Sequence, residues 1–146
     1  MKQAVAFCSN IKNSKYLRDS FNVCQKAYYE KLSEAERDKL ISVKADHVDG
    51  SMGSTKRKEK LEWLESATSN KNNCHVLNNV RCLSEGVDVP SLDAIMFLSS
   101  RNSQIDVVQS VGRVMRKAKN KKFGYIIIPV IVPADKNANE VLDKSD

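Results

Sequence analysis

The sequence predicts an α/β protein in which a mainly parallel central sheet of about five or six strands carries helices on both faces, a three-layer sandwich. Three observations predict it. Short apolar runs alternate with longer amphipathic ones along the chain. The runs Ala4-Val5-Ala6-Phe7-Cys8 and Ala94-Ile95-Met96-Phe97-Leu98 are apolar at every position, as strands covered on both faces must be. At 146 residues the chain is long enough for one domain with a substantial core, and no second domain is needed.

In chain order, Ala4–Cys8 reads as the first strand. Ile11 to about Lys31 places Tyr16, Leu17, Phe21, Cys24 and Tyr28 at helical spacing and reads as the first long helix. A short, charged, helix-prone stretch covers about Glu34 to Leu40, and Ser42–Val48 is the second strand. Leu61, Trp63 and Leu64 mark a helix from Thr55 to about Ser66, capped by Ser54 or Thr55. At that spacing Trp63 reads as a core residue rather than a base-stacking platform. Cys74-His75-Val76-Leu77 and Ala94–Leu98 are further buried strands, and Ile105–Met115 is a helix. Gly124–Val132 closes the series. Pro129 interrupts it and, having no amide hydrogen for a ladder, marks an edge position or a break. The domain is expected to span residues 1–133, with 134–146 a polar, weakly helical tail like that of a piece cut from something larger.

Charge and cysteine usage narrow the function classes. Lys and Arg number 24 against 18 Asp and Glu, a net charge of +6 that suits a polyanionic partner. The basic residues cluster at Lys56-Arg57-Lys58 with Lys60, and again from Arg113 to Lys122. Within the second cluster, Lys117–Lys122 reads as a solvated turn before the last strand. Cys8, Cys24, Cys74 and Cys82 form no CxxC pair, so neither a zinc site nor a disulfide framework is indicated and reduced thiols are expected. His47 and His75 are too few and too separated to suggest a metal site or a charge relay. No apolar run approaches the roughly 20 residues of a membrane span and no signal pattern opens the chain, so a soluble, cytoplasmic protein is expected.

Two segments carry candidate chemistry. Leu83-Ser84-Glu85-Gly86-Val87-Asp88-Val89-Pro90 lies between two predicted buried strands, in the type of connection where α/β sheets place ligands. Gly86 permits a tight backbone, and Asp88 offers a carboxylate that can accept from hydroxyls or pair with an arginine. In Gln109-Ser110-Val111-Gly112-Arg113-Val114-Met115-Arg116 the i, i+3 spacing puts Arg113 and Arg116 on one side of a helix, with Gln109 one turn earlier. A guanidinium is planar, always charged and able to bind phosphate oxygens in pairs. The sequence has no GxxxxGK[ST] loop and no acidic box, so these arginines read as completing a phosphate site whose other parts lie elsewhere.

Together these segments resemble the second RecA-like domain of superfamily 2 helicases and translocases. Phe7-Cys8-Ser9-Asn10 resembles motif IV, Gly50 with Arg57 the next strand-to-helix motif, Glu85 to Pro90 motif V, and Gln109-x-x-Gly112-Arg113-x-x-Arg116 motif VI. The wording from Asn79 to Pro90, with Val108-Gln109-x-Val111-Gly112-Arg113, is similar to the type III and type ISP restriction-enzyme branch. Where many relatives begin motif V with a threonine that touches the nucleic-acid backbone, this chain has Val80, with Arg81 or Ser84 as substitutes.

The resemblance implies a RecA-like fold and one half of an ATP-hydrolysing motor. ATP and Mg²⁺ would act in the full-length protein, in a cleft shared with an N-terminal RecA-like domain, and neither would be held tightly by this domain, which alone is expected to be inactive. Arg113 and Arg116 would be the catalytic arginines, and Gly86, Asp88 and Gln109 would contact the nucleotide. Ser9, Asn10, Ser51, Arg57 and Arg81 would hold a nucleic-acid strand, expected to be DNA. The other reading is a stand-alone binding or regulatory module that keeps the fold and hydrolyses nothing.

Overall fold

The computed structural model describes residues 1–69, 72–80, 82, 92–99, 104–116, 121–130 and 132, without the side chains of 104–106 and 113. Five parallel strands form one sheet in the order β2-β3-β1-β4-β5. They are β1 (Gln3–Phe7), β2 (Ser42–Asp49), β3 (Asn73–Val80), β4 (Ala94–Phe97) and β5 (Tyr125–Ile127). The helices are α1 (Ile11–Glu30), α2 (Glu34–Arg37), α3 (Ser54–Ser66) and α4 (Gln104–Met115).

Side-chain alternation along β1 explains the two-sided core. Val5 and Phe7 face a cluster with Val48, Leu77, Ile95, Leu64 of α3 and Val114 of α4. Ala4 and Ala6 face the other way, toward Ala45, Cys74, Val76, Ala94 and Met96, with Phe21 of α1 packed against them. The small residues on this second face let α1 lie close to the sheet. Crossover handedness fixes which helix goes where. The chain steps one way across the sheet from β1 to β2 and the opposite way from β2 to β3 and β4 to β5. Right-handed crossovers then put α1 on one face and α3 with α4 on the other.

Boundaries differ from expectation in instructive places. β3 runs on to Val80 rather than stopping at Leu77, and Asn78 and Asn79 are wholly buried in the strand. The Asn78 side-chain amide donates to the Ser14 carbonyl at 3.1 Å, and the Asn79 carboxamide oxygen accepts from the Cys82 amide at 3.1 Å. α3 begins one residue early, at Ser54, with Gly53 as its cap and no side-chain capping bond, so neither Ser54 nor Thr55 plays that part. α2 carries a capping box between Ser33 and Glu36. The last strand is short and lies at the sheet edge, ending two residues before Pro129. Trp63 is partly buried against the core and stacks on His75 with ring centroids 4.3 Å apart. All four cysteines are free, and burial pushes the Cys8 and Cys74 thiols up. Among the described residues no helix is long and apolar enough to cross a membrane. The expected tail, 134–146, lies outside the described residues.

Candidate nucleotide and nucleic-acid site

Every strand of a parallel sheet leaves at its carboxyl end into a loop whose backbone groups lack ladder partners, so polar residues gather there. β1 leaves through Cys8, Ser9 and Asn10. Asn10 is extended (φ −151°, ψ 167°) and its side-chain oxygen accepts the Asn13 amide at 2.8 Å, which caps α1. Ser9 Oγ accepts from the side-chain amides of Asn13 at 3.0 Å and Asn10 at 3.3 Å. With both lone pairs engaged, donation is the role left to the Ser9 hydroxyl. An open groove of about 580 Å³ lies here, lined by Ser9, Asn10, Ile11, Lys12 and Val80. No acid occupies the first turn of α1. Lys12 instead adds positive charge where the helix dipole is already positive, an arrangement that suits an anion.

β2 leaves through a braced turn. The Asp49 carboxylate accepts the Ser51 amide at 2.8 Å, the Ser51 hydroxyl at 2.5 Å and His47 Nε2 at 2.6 Å. His47 Nδ1 meets Ser14 Oγ at 2.7 Å. A carboxylate only accepts, so the hydrogens on Nε2 and on the Ser51 hydroxyl both point at Asp49. The Ser51 hydroxyl bond holds the Asp49 carboxyl below the usual carboxylate range, and His47 and the Ser51 amide reinforce it against desolvation. Serine, histidine and aspartate thus do form a relay, although two scattered histidines gave no sign of one. Ser14 is completely buried, so no substrate reaches its hydroxyl and the relay acts as a brace between α1 and β2. Both Ser51 donors are committed to Asp49, and a phosphate at this corner would have to displace that carboxylate.

The basic cluster on α3 is divided. Lys60 is held by Asp46 at 2.6 Å, whereas Lys56 and Lys58 are exposed. Arg57 is half-buried. It lies in the first turn of α3, just after β2, the strand that pairs with β3. Ser9, Asn10, Ser51 and Arg57 therefore lie at the carboxyl end of the sheet.

α4 buries Ser110 and Val114, half-buries Val107 and Val111, and turns Val108, Gln109, Gly112 and Met115 outward, with Arg116 exposed one residue beyond its end. Arg113 occupies the helix position after Gly112. A Cβ built on Gly112 would meet nothing within 4 Å, so no packing among the described residues requires glycine there. Arg81, Gly86 and Asp88 lie outside the described residues, as does the side chain of Arg113.

Residues 1–118 match the helicase conserved C-terminal domain. The chain belongs to that family. The ATP-dependent type ISP restriction-modification enzyme LlaBIII, in a structure bound to DNA, is 36% identical with a TM-score of 0.76 over 93% of this chain. "Putative helicase 22" of Sulfolobus islandicus filamentous virus is 36% identical over 101 residues, 69% of this chain. The chain spans 17% of that viral protein and 8% of LlaBIII. The yeast DEAD-box splicing factor Prp28, at 13% identity and a TM-score of 0.61, shares the RecA-like fold. The superfamily 2 assignment and its restriction-enzyme flavour, read from motifs V and VI, agree with these matches.

This helicase C-terminal domain carries three features that sequence reading passed over. Lys12 was detectable as a lysine two residues past an asparagine cap, with no acid nearby. Asp49 and its brace were not, because Ser14, His47 and Asp49 come from different elements or from positions that carry no motif. The third, Lys121, gave the appearance of a solvated residue.

Proposed function

We propose that this domain is the second motor domain of an ATP-dependent nucleic-acid helicase or translocase. It would supply Arg113 and Arg116 to a nucleotide held by an N-terminal RecA-like domain. The observation that carries the reading is the outward face of α4, where Gln109 and Gly112, with Arg116 just past the helix end, lie outside the core that Val107, Ser110, Val111 and Val114 complete. A glycine inside a helix costs about 1 kcal/mol relative to alanine, and bare backbone beside two arginines suits close approach of phosphate.

Bound Mg-ATP supplies the phosphoanhydride bond whose hydrolysis drives the cycle. The arginine face fits its phosphate end. As the family resemblance implies, the Mg²⁺ ligands would come from the N-terminal RecA-like domain. Arg113 and Arg116 then stabilise charge developing on the transferred phosphoryl group, and Gln109 contacts the γ-phosphate region. Gly86 and Asp88 are assigned to the ribose side. The strand runs along the groove of Ser9, Asn10, Lys12 and Val80 and past Arg57 and Arg81, with Ser51 shaping the turn beside it. Such contacts position a backbone without reading sequence.

The test uses the polypeptide that joins this domain to a phosphate-loop domain. Arg113→Ala and Arg116→Ala should each lower nucleic-acid-stimulated ATP hydrolysis by roughly 10³-fold or more while ATP still binds. Near-normal turnover in both variants would sink the assignment.

A further inference from the structure

The connection between α4 and β5 does not behave as a solvated turn at Lys121. Its ammonium donates to the carbonyl oxygens of Leu92 at 2.5 Å, of Arg116 at 3.3 Å, and of Val114. Three donors thus meet three acceptors. Two of those carbonyls belong to the last turn of α4 and the residue after it, where no helical amide remains to satisfy them, and the positive charge sits at the negative end of the helix dipole. Leu92 in turn is well anchored. Its neighbour Asp93 accepts the backbone amides of Lys2 at 2.5 Å and Gln3 at 3.2 Å through its carboxylate, and the Tyr125 amide at 2.8 Å through its carbonyl.

A second observation points to the same turn of helix. A Cβ added to Gly124 would lie 2.5 Å from Val114 Cγ1 and 2.7 Å from the Val114 carbonyl oxygen. Backbone therefore rests directly on backbone. Val114, itself buried, is gripped by Lys121 at its carbonyl and by Gly124 at its side chain, and it lies between Arg113 and Arg116 in the sequence.

We infer that Lys121, with Gly124 beneath it, is a positioning residue that fixes the C-terminal end of α4 and the residue after it, and so sets where Arg113 and Arg116 stand. The inference rests on the proposed role of Arg113 and Arg116. All three Lys121 donors are committed to backbone carbonyls. Lys121 acts through the helix, and a displacement of about 1 Å at a catalytic group costs on the order of 10²-fold in rate.

In the two-domain polypeptide, Lys121→Met keeps a similar apolar stem and removes the ammonium. It should lower kcat for nucleic-acid-stimulated ATP hydrolysis by roughly ten- to a hundredfold and leave the KM for ATP within about twofold. The loss should largely vanish when Lys121→Met is combined with Arg113→Ala or Arg116→Ala, since residues acting through one another are not additive. A purely structural lysine would lower kcat by the same factor in every background. Wild-type kcat in folded Lys121→Met, or a full additive loss in the double variants, overturns the inference. Should Lys121→Met fail to fold, Gly124→Ala decides: it should show the same kcat loss, and wild-type kcat in that variant overturns it. A wild-type polypeptide with no ATPase is a different result, which removes the motor reading and this inference together.

Discussion

Asp49 shows how much one carboxylate can organise. It is buried, takes three hydrogen bonds, and connects the turn after β2 to α1 through His47 and Ser14. Replacing it with asparagine leaves a neutral group of the same shape where charged hydrogen bonds were made. Asp49→Asn should therefore destabilise the domain by about 2 to 3 kcal/mol at neutral pH, read as a lower urea midpoint. The sign of the pH dependence follows from the lowered carboxyl. A group whose folded pKa lies below its unfolded value of about 3.9 contributes stability above that value and loses it as pH falls through the folded pKa. The gap between wild type and Asp49→Asn should narrow below about pH 4. A gap that stays constant down to pH 3 would show that the charge contributes nothing.

At the scale of an element, α4 is built by two opposed demands. Its inner face of Val107, Ser110, Val111 and Val114 packs as any amphipathic helix would. Its outer face keeps Gly112 at a conformational cost that nothing among the described residues requires. Gly112→Ala should then raise the unfolding free energy by about 0.5 to 1 kcal/mol while lowering ATP turnover in the two-domain polypeptide. Thermal melts and turnover measured together check it, and a variant both more stable and fully active would mean that no nucleotide approaches that face. α1 poses the converse case. Its cap, its lack of acids in the first turn and Lys12 all leave its N-terminus electropositive toward the groove.

The sheet order decides which strand exits meet at its carboxyl end. Parallel strands in the order β2-β3-β1-β4-β5 set the exits of β1 and β3 side by side, which is why Val80 and Ser9 line one groove although 71 positions separate them. Under the proposed function this end of the sheet would hold a strand through its phosphates, with affinity that falls steeply as salt rises. Lys12→Ala and Arg57→Ala should each weaken binding to single strands of any sequence by a similar factor. Each should also reduce the salt slope by about 1 unit, measured by fluorescence anisotropy across salt concentrations. An unchanged slope in both would remove this end of the sheet from the nucleic-acid track.

The sequence by itself determined the fold class, the order of the elements and the family. Those properties rest on local periodicity and on motifs such as Gln109 to Arg116, which are written in adjacent residues. It also placed Ser9 and Asn10 at a strand exit and Arg113 on a helix, which ends at Met115, one residue short of Arg116. Only the tertiary structure decided what Asn78, His47, Asp49 and Lys121 do. None of them carries a local sequence signal for that role, and each takes it from partners 2 to 64 positions away. Such partners become visible only when the sheet order brings their elements together, because the cost of burying a polar group is met wherever a complementary group happens to lie.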